Sequence, residues 1–391
     1  MTDLKRHLNS GLIETLVVLY VVTGSLTGIG PINKLFYVIG LVAEILALFH
    51  LLNSRYADKK ILKCYLEIMA TIVLITFGFI LGGTSVELVF SRSMSLICIF
   101  GCVIFFVPEL KVDLFRVLIR VKKVMLVIAA IMLFDIICHK LTGLGIWKPI
   151  TYLGYRYSGP FYDSNYAAVY MGCILLLVWT DGDFDNNKKW IATLILGANI
   201  YFCGSLTSIL ALFICLIAAV LKKMIPINRV IVFHLICLGI YVAIIMIWSN
   251  NRQFFYEVGT GLLGKIYPDG GKAKYISLQI RFETQFKALR IAALNFWGQG
   301  PHQLVPQLGH DTHNSFFSFF FEEGYLGLLL LLQSLRYQAA KITNFAFYLV
   351  LFITINIFFL DIHYTTIYTI LLISIQIGRN RKSTRLLYEE C

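Results

Sequence analysis

The chain is short of charge. Asp, Glu, Lys and Arg make up only 14% of its 391 residues, against roughly a quarter in an ordinary soluble domain, and 58% are hydrophobic. That excludes a soluble globular chain of the usual kind. A CxxC pair is also missing. Most of the nine cysteines lie in or at the ends of apolar runs, and the nearest pair, Cys98 and Cys102, is spaced i, i+4. This argues against a disulfide framework and against a zinc site. No small-residue cleavage site follows the opening MTDLKRHLNSGLIETLVVLY, so the first apolar run is expected to stay as an anchor. Internal repeats and low-complexity segments are absent as well.

What is there is a succession of apolar runs. A bilayer core needs about 20 helical residues. Runs near this length fall at 11–30, 32–52, 61–82, 92–107, 121–138, 164–180, 189–203, 205–221, 230–248, 313–333, 343–360 and 362–378. The expected fold is an all-α integral membrane protein with about twelve transmembrane helices. Three regions follow: helices one to nine over 1–248, one long loop over 249–312, and the last three helices with a tail over 313–391.

Lysine and arginine orient the bundle. With both termini cytoplasmic, the inner segments hold 22 of the 34 Lys and Arg, and the outer segments hold 12. Seven of those 12 lie in the long loop, whose length frees it from the charge rule, so the short loops decide at 22 to 5. The long loop is therefore expected outside, and the tail GRNRKSTR inside.

Glycine, proline and aspartate argue for turns in that loop up to about Tyr275. ISLQIRFETQFKALRIAALNF, residues 276–296, then reads as an amphipathic helix. Leu278, Phe282, Phe286, Leu289 and Ala293 share one side. Glu283, Lys287 and Arg290 share another, an ordinary solvated face with an i, i+4 ion pair. Arg281 stands apart from it, among Thr284, Gln285, Ala288 and Ala292. A cation in a sector of small and hydrogen-bonding residues faces something other than water or lipid.

Beyond the loop stands GHDTHNSFFSFFFEEGYLGLL, residues 309–329. His310, Asp311 and His313 mark the mouth of an apolar run, and Glu322 and Glu323 are sunk in it. The order Arg281, Gly298-Gln-Gly300, His313-Asn314, Glu323-Gly324-Tyr-Leu-Gly327 resembles the bacterial O-antigen ligase and polysaccharide polymerase superfamily. Upstream, Arg156, Gly159, Phe161 and Asn165 in YRYSGPFYDSNYAAVY fit the same family's Arg…Gly-x-Phe…Asn pattern. The chain departs from the family at Asp163-Ser164, where Asn-Pro is usual, and at Ser205-Leu206, where Ser-Arg is usual.

The resemblance implies a GT-C-like bundle in the bacterial cytoplasmic membrane, acting on its outer face without a cofactor. It implies an undecaprenyl-pyrophosphate-linked oligosaccharide as donor and a lipid-linked glycan as acceptor, among membrane lipids. No nucleic acid is implied, and a chain-length regulator or flippase is a possible companion. Polymerases join repeat units; ligases pass the glycan to a lipid A core. Such chemistry needs fixed cations at a leaving pyrophosphate, where arginine offers a planar fork. It also needs an acceptor for the proton of a sugar hydroxyl, for which histidine is suited. Arg281 and His313 are accordingly the expected catalytic pair, with His313 kept neutral by the helix N-terminus that follows it. Arg156, Asn165, Arg290 and Asn314 are the expected substrate contacts; Glu323, Gly324, Gly298 and Gly300 are structural. No metal is expected.

Plainer readings stand beside these. Arg281 at an interface binds lipid headgroups, His313 caps a helix, and His302 and His310 are loop histidines. An ionised Glu323 at membrane depth costs several kcal/mol without a partner, so a cation or backbone donors should hold it. Glu44, Glu67 and Asp135 are further acids in apolar runs, without a motif. A transporter or a lipid-linked sugar flippase is the alternative of another class. Neither repeat-related halves nor broken helices are visible to favour it.

Overall fold

In the computed structural model, the described residues are 2–27, 29, 32–52, 59–149, 156–180, 184–220, 230–266, 271–336, 344–358, 360 and 365–376. The tail GRNRKSTR lies outside them. No strand occurs among the described residues, as expected where apolar surroundings force backbone groups to bond within their own segment. Nine helices come first: α1 (Thr2–Ser25), α2 (Ile32–Leu52), α3 (Lys59–Leu81), α4 (Val86–Phe100), α5 (Leu114–Thr142), α6 (Ser164–Thr180), α7 (Asn186–Cys203), α8 (Leu206–Val220) and α9 (Val230–Asn250). The loop region holds α10 (Arg252–Ile266), α11 (Gly271–Ala292) and α12 (Leu304–Leu308). Then follow α13 (Ser315–Arg336), α14 (Asn344–Ile357) and α15 (Thr366–Gln376).

Each of the twelve predicted runs overlaps a helix among the described residues. Five helical segments, Lys34–Leu52, Lys60–Leu81, Val86–Phe106, Leu114–Thr142 and Ser315–Ser334, are long and apolar enough to cross a membrane; the other apolar helices are shorter. Phe77, Phe134 and Leu194 point outward, as lipid-facing side chains do. The core is tightened by small residues: a Cβ on Gly172 would sit 2.2 Å from the Phe352 ring. Helix ends are capped locally. Asp113 and Asp185 take the N–H of Arg116 (3.0 Å) and Lys188 (2.8 Å), and left-handed Gly143 and Gly204 close α5 and α7.

The segments that the charge rule places outside meet at one end of the bundle. Tyr157 donates to the Phe202 carbonyl (3.1 Å), and Asn314 Nδ2 and Ser315 Oγ reach the carbonyls of Phe358 (3.1 Å) and Leu360 (2.7 Å). Predicted inner segments pair likewise: Glu14 of α1 accepts the Asp113 N–H at 3.0 Å.

Three sequence expectations are corrected. Residues 252–266 are helical, not a run of turns. Gly259 lets α10 close on α11, since a Cβ there would meet the Tyr275 ring at 2.3 Å, and Tyr256 stacks edge-on against that ring. The ion pair of Glu283 is made to Arg252 of α10 (3.4 Å), while Gln279, one turn back on its own helix, donates to the same carboxylate (3.3 Å). The largest correction is to the span at 313–333. Gly324 has φ 66° and ψ −152°, a region essentially confined to glycine, and α13 breaks there into two arms. The arms fold back so far that a Cβ on Gly327 would lie 2.9 Å from the Phe319 carbonyl. Those residues stand about 12 Å apart along a straight helix.

Candidate active site

The mouth of α13 is built by a polar clasp. Thr312, fully buried, offers its carbonyl to Gln285 Nε2 (2.7 Å), and Gln285 Oε1 accepts the Tyr241 hydroxyl (2.9 Å). Strands of loop, α11 and α9 are thereby fixed together. Gln285 lies one helical turn beyond Arg281, and Thr312 immediately precedes His313. The clasp therefore carries Arg281 and His313 to one place. The buried sector of α11 is Thr284, Gln285, Ala288 and Ala292, the sector that Arg281 borders.

His313 is half-buried, ahead of the helix, with a left-handed φ of 49°. Burial and then the charge of Arg281 push its imidazole down to about 4; His310 adds to this, while Asp311 and Asp163 oppose it. It is neutral at pH 7, as a proton acceptor must be.

Asp163 is the residue that sequence reasoning passed over. Marked there only as a departure from Asn-Pro, it is half-buried at the start of α6, where Oδ1 takes the Asn165 N–H (2.7 Å), and its charge reaches His313. Asn165 is half-buried beside it. Arg156 donates through Nη2 to the Gly204 carbonyl at the end of α7. The charges of Arg156 and Asp163 both reach Cys203, so the two upstream candidates share a neighbourhood.

The other two predicted substrate contacts are Asn314 and Arg290. Asn314 is fully buried; Oδ1 caps α13 on the N–H of Phe316 (3.0 Å) and Phe317 (3.1 Å), and Nδ2 holds Phe358. Both ends of its amide are committed to the fold. Arg290 is exposed, nine residues and thus half a helical circle away from Arg281.

A second charged cluster sits at the break in α13. Arg92 of α4 donates to both acids: Nε to Glu323 Oε1 at 2.6 Å, and Nη2 to Glu322 Oε2. All three are at most 7% exposed, and Glu322 Oε1 also takes the His302 N–H (2.8 Å). The Gly298-Gln-Gly300 turn fills the break. Gln299 and Gly300 donate to the carbonyls of Phe321 (2.8 Å) and Glu322 (3.0 Å), and Phe296 accepts from Tyr325 (3.1 Å). Gly298 has φ 79°, and a Cβ there would meet the Glu322 carbonyl at 2.3 Å. Glu323, Gly324, Gly298 and Gly300 thus form one architectural unit. Arg92 was not foreseen, though an arginine inside an apolar run, opposite in sign to two sunken acids, was the available signal.

Among the described residues no three His, Cys, Asp or Glu side chains gather so as to hold a metal ion. No protein-family model matches the chain, and neither a curated protein nor a solved structure matches it.

Proposed function

We propose that the protein is a membrane glycosyltransferase that polymerises undecaprenyl-pyrophosphate-linked oligosaccharide repeat units on the outer face of the bacterial cytoplasmic membrane. The observation that carries this reading is the Gln285–Thr312 clasp, which brings Arg281 and His313 together at the mouth of α13. In the reaction, an acceptor sugar hydroxyl attacks the anomeric carbon of the donor. The bond from that carbon to the pyrophosphate oxygen breaks, and the lipid pyrophosphate leaves against the Arg281 guanidinium. The hydroxyl proton passes to the neutral imidazole of His313. A ligase that passes the glycan to a lipid A core would use the same pair. Arg156 and Asn165, near the same end, remain the proposed donor contacts.

One observation favours a different class. The broken helix at Gly324 is a feature of secondary transporters. Its freed backbone groups, however, are taken up by residues 296–300 instead of lining a passage. The deciding experiment is purified protein in vesicles with the lipid-pyrophosphate-linked glycan. Extension without added nucleotide, unaffected by EDTA, is expected, and Arg281→Lys should lose most of it because the bidentate fork is gone. Movement of the glycan across the bilayer with no new glycosidic bond would replace the reading by a transporter.

A further inference from the structure

Glu44, Glu67 and Asp135 lie in apolar helices outside both clusters, and the fold treats them differently. Glu67 faces Lys63 one turn away at 3.9 Å. Asp135 accepts the backbone N–H of Ile146 (2.5 Å) and Trp147 (3.2 Å). Glu44 has neither kind of help. It is 2% exposed, midway along α2, and neither of its carboxyl oxygens has a hydrogen-bond partner among the described residues.

Its surroundings are buried and, among the described residues, contain no cation. The titratable groups that face it are Tyr20 of α1, Tyr65 of α3, Cys98 of α4 and Cys102 in the 3₁₀ turn Gly101–Phe106 that continues α4. The Tyr20 hydroxyl is spent on the Cys98 carbonyl at 2.9 Å. No charged side chain among the described residues acts on the carboxyl. Gly101 presses directly on it: a Cβ there would lie 2.5 Å from Oε2. The contact falls where α4 passes into the 3₁₀ turn, a change of helix type that often marks a hinge.

An ionised carboxylate with no donor and no cation is far costlier to bury than the neutral acid. We propose that Glu44 is a proton-binding site inside the bundle. Its ligand is a proton, held by a carboxyl that the packing keeps neutral and released only when α2 and α4 part at Gly101. The site stands independently of the glycosyl-transfer reading.

Infrared spectroscopy of the purified protein in lipid discs at pH 7 tests it. The wild-type minus Glu44→Gln difference spectrum should show one lost carbonyl stretch of a protonated carboxyl. Loss of carboxylate stretches instead would overturn the proposal. Gln is a neutral near-isostere, so this variant should melt close to the wild type. If it does not fold, Glu44→Met, also uncharged, takes its place in the difference spectrum. Failure of both to fold would show that the charge is required and would overturn the proposal. Gly101→Ala should shift the same band, because its methyl displaces Oε2; an unmoved band would remove the α2–α4 contact from the account.

Discussion

The two charged clusters, one at the mouth of α13 and one at its break, differ in how they are closed. At the break, Arg92, Glu322 and Glu323 are almost fully buried and locked to one another, with the His302 N–H on the remaining side. At the mouth, His313 and Asp163 are half-buried, and Asp311 and His310 are exposed. Charges committed to each other hold a fold; charges gathered at a partly open mouth are placed to act on something that arrives. The sequence reading gave the two groups different roles, His313 catalytic and Glu323 structural, but could not name the cation that holds the acids.

The comparison breaks first at Arg92. If the inner cluster is architecture, Arg92→Leu leaves two buried acids without a cation and should cost about 3–5 kcal/mol of stability. A melting curve in detergent checks this, and an Arg92→Leu protein that melts like the wild type would place the cluster outside the architecture. Asn314 sharpens the boundary between the clusters. Asn314→Ala removes the cap of α13 and should cost about 0.5–2 kcal/mol, while KM for the lipid-linked donor stays unchanged. A raised KM with unchanged stability would restore Asn314 as a substrate contact. Smallest of all is Arg290→Ala. On the solvated face of α11 it should move stability by no more than about 0.5 kcal/mol and leave turnover alone.

Much of the fold was legible because a bilayer sets the length of an apolar helix, and all twelve predicted runs overlap helices among the described residues. The separation of Arg281 from the charged face was legible because helical period places residues on sides without any knowledge of what lies opposite. Other features could not be read this way. The break at Gly324 hides inside an unbroken hydropathy signal, since hydropathy carries no information on φ. Arg92 is 231 positions from Glu323, so only the folded chain joins them. In 252–266 the glycines were read as turn residues, whereas Gly259 serves close packing on Tyr275. Asp163 was seen only as a missing Asn-Pro, because its worth depends on His313 lying across from it.

The central claim is that His313 is a neutral proton acceptor in the field of Arg281, and kcat/KM against pH tests it most directly. An imidazole pushed down to about 4 is neutral from neutral pH to well below the ordinary histidine range. The sign for stability follows: the buried neutral form stabilises the fold above the unfolded value of about 6.5. That contribution is lost as pH falls toward about 4. Wild-type kcat/KM should therefore show no loss through the ordinary histidine range, with its acid limb approaching about 4. His313→Ala, shown to be folded, should lose about 10²–10⁴-fold in turnover and the limb with it. A wild-type limb near the ordinary histidine value, or a folded His313→Ala with wild-type turnover, would contradict the account.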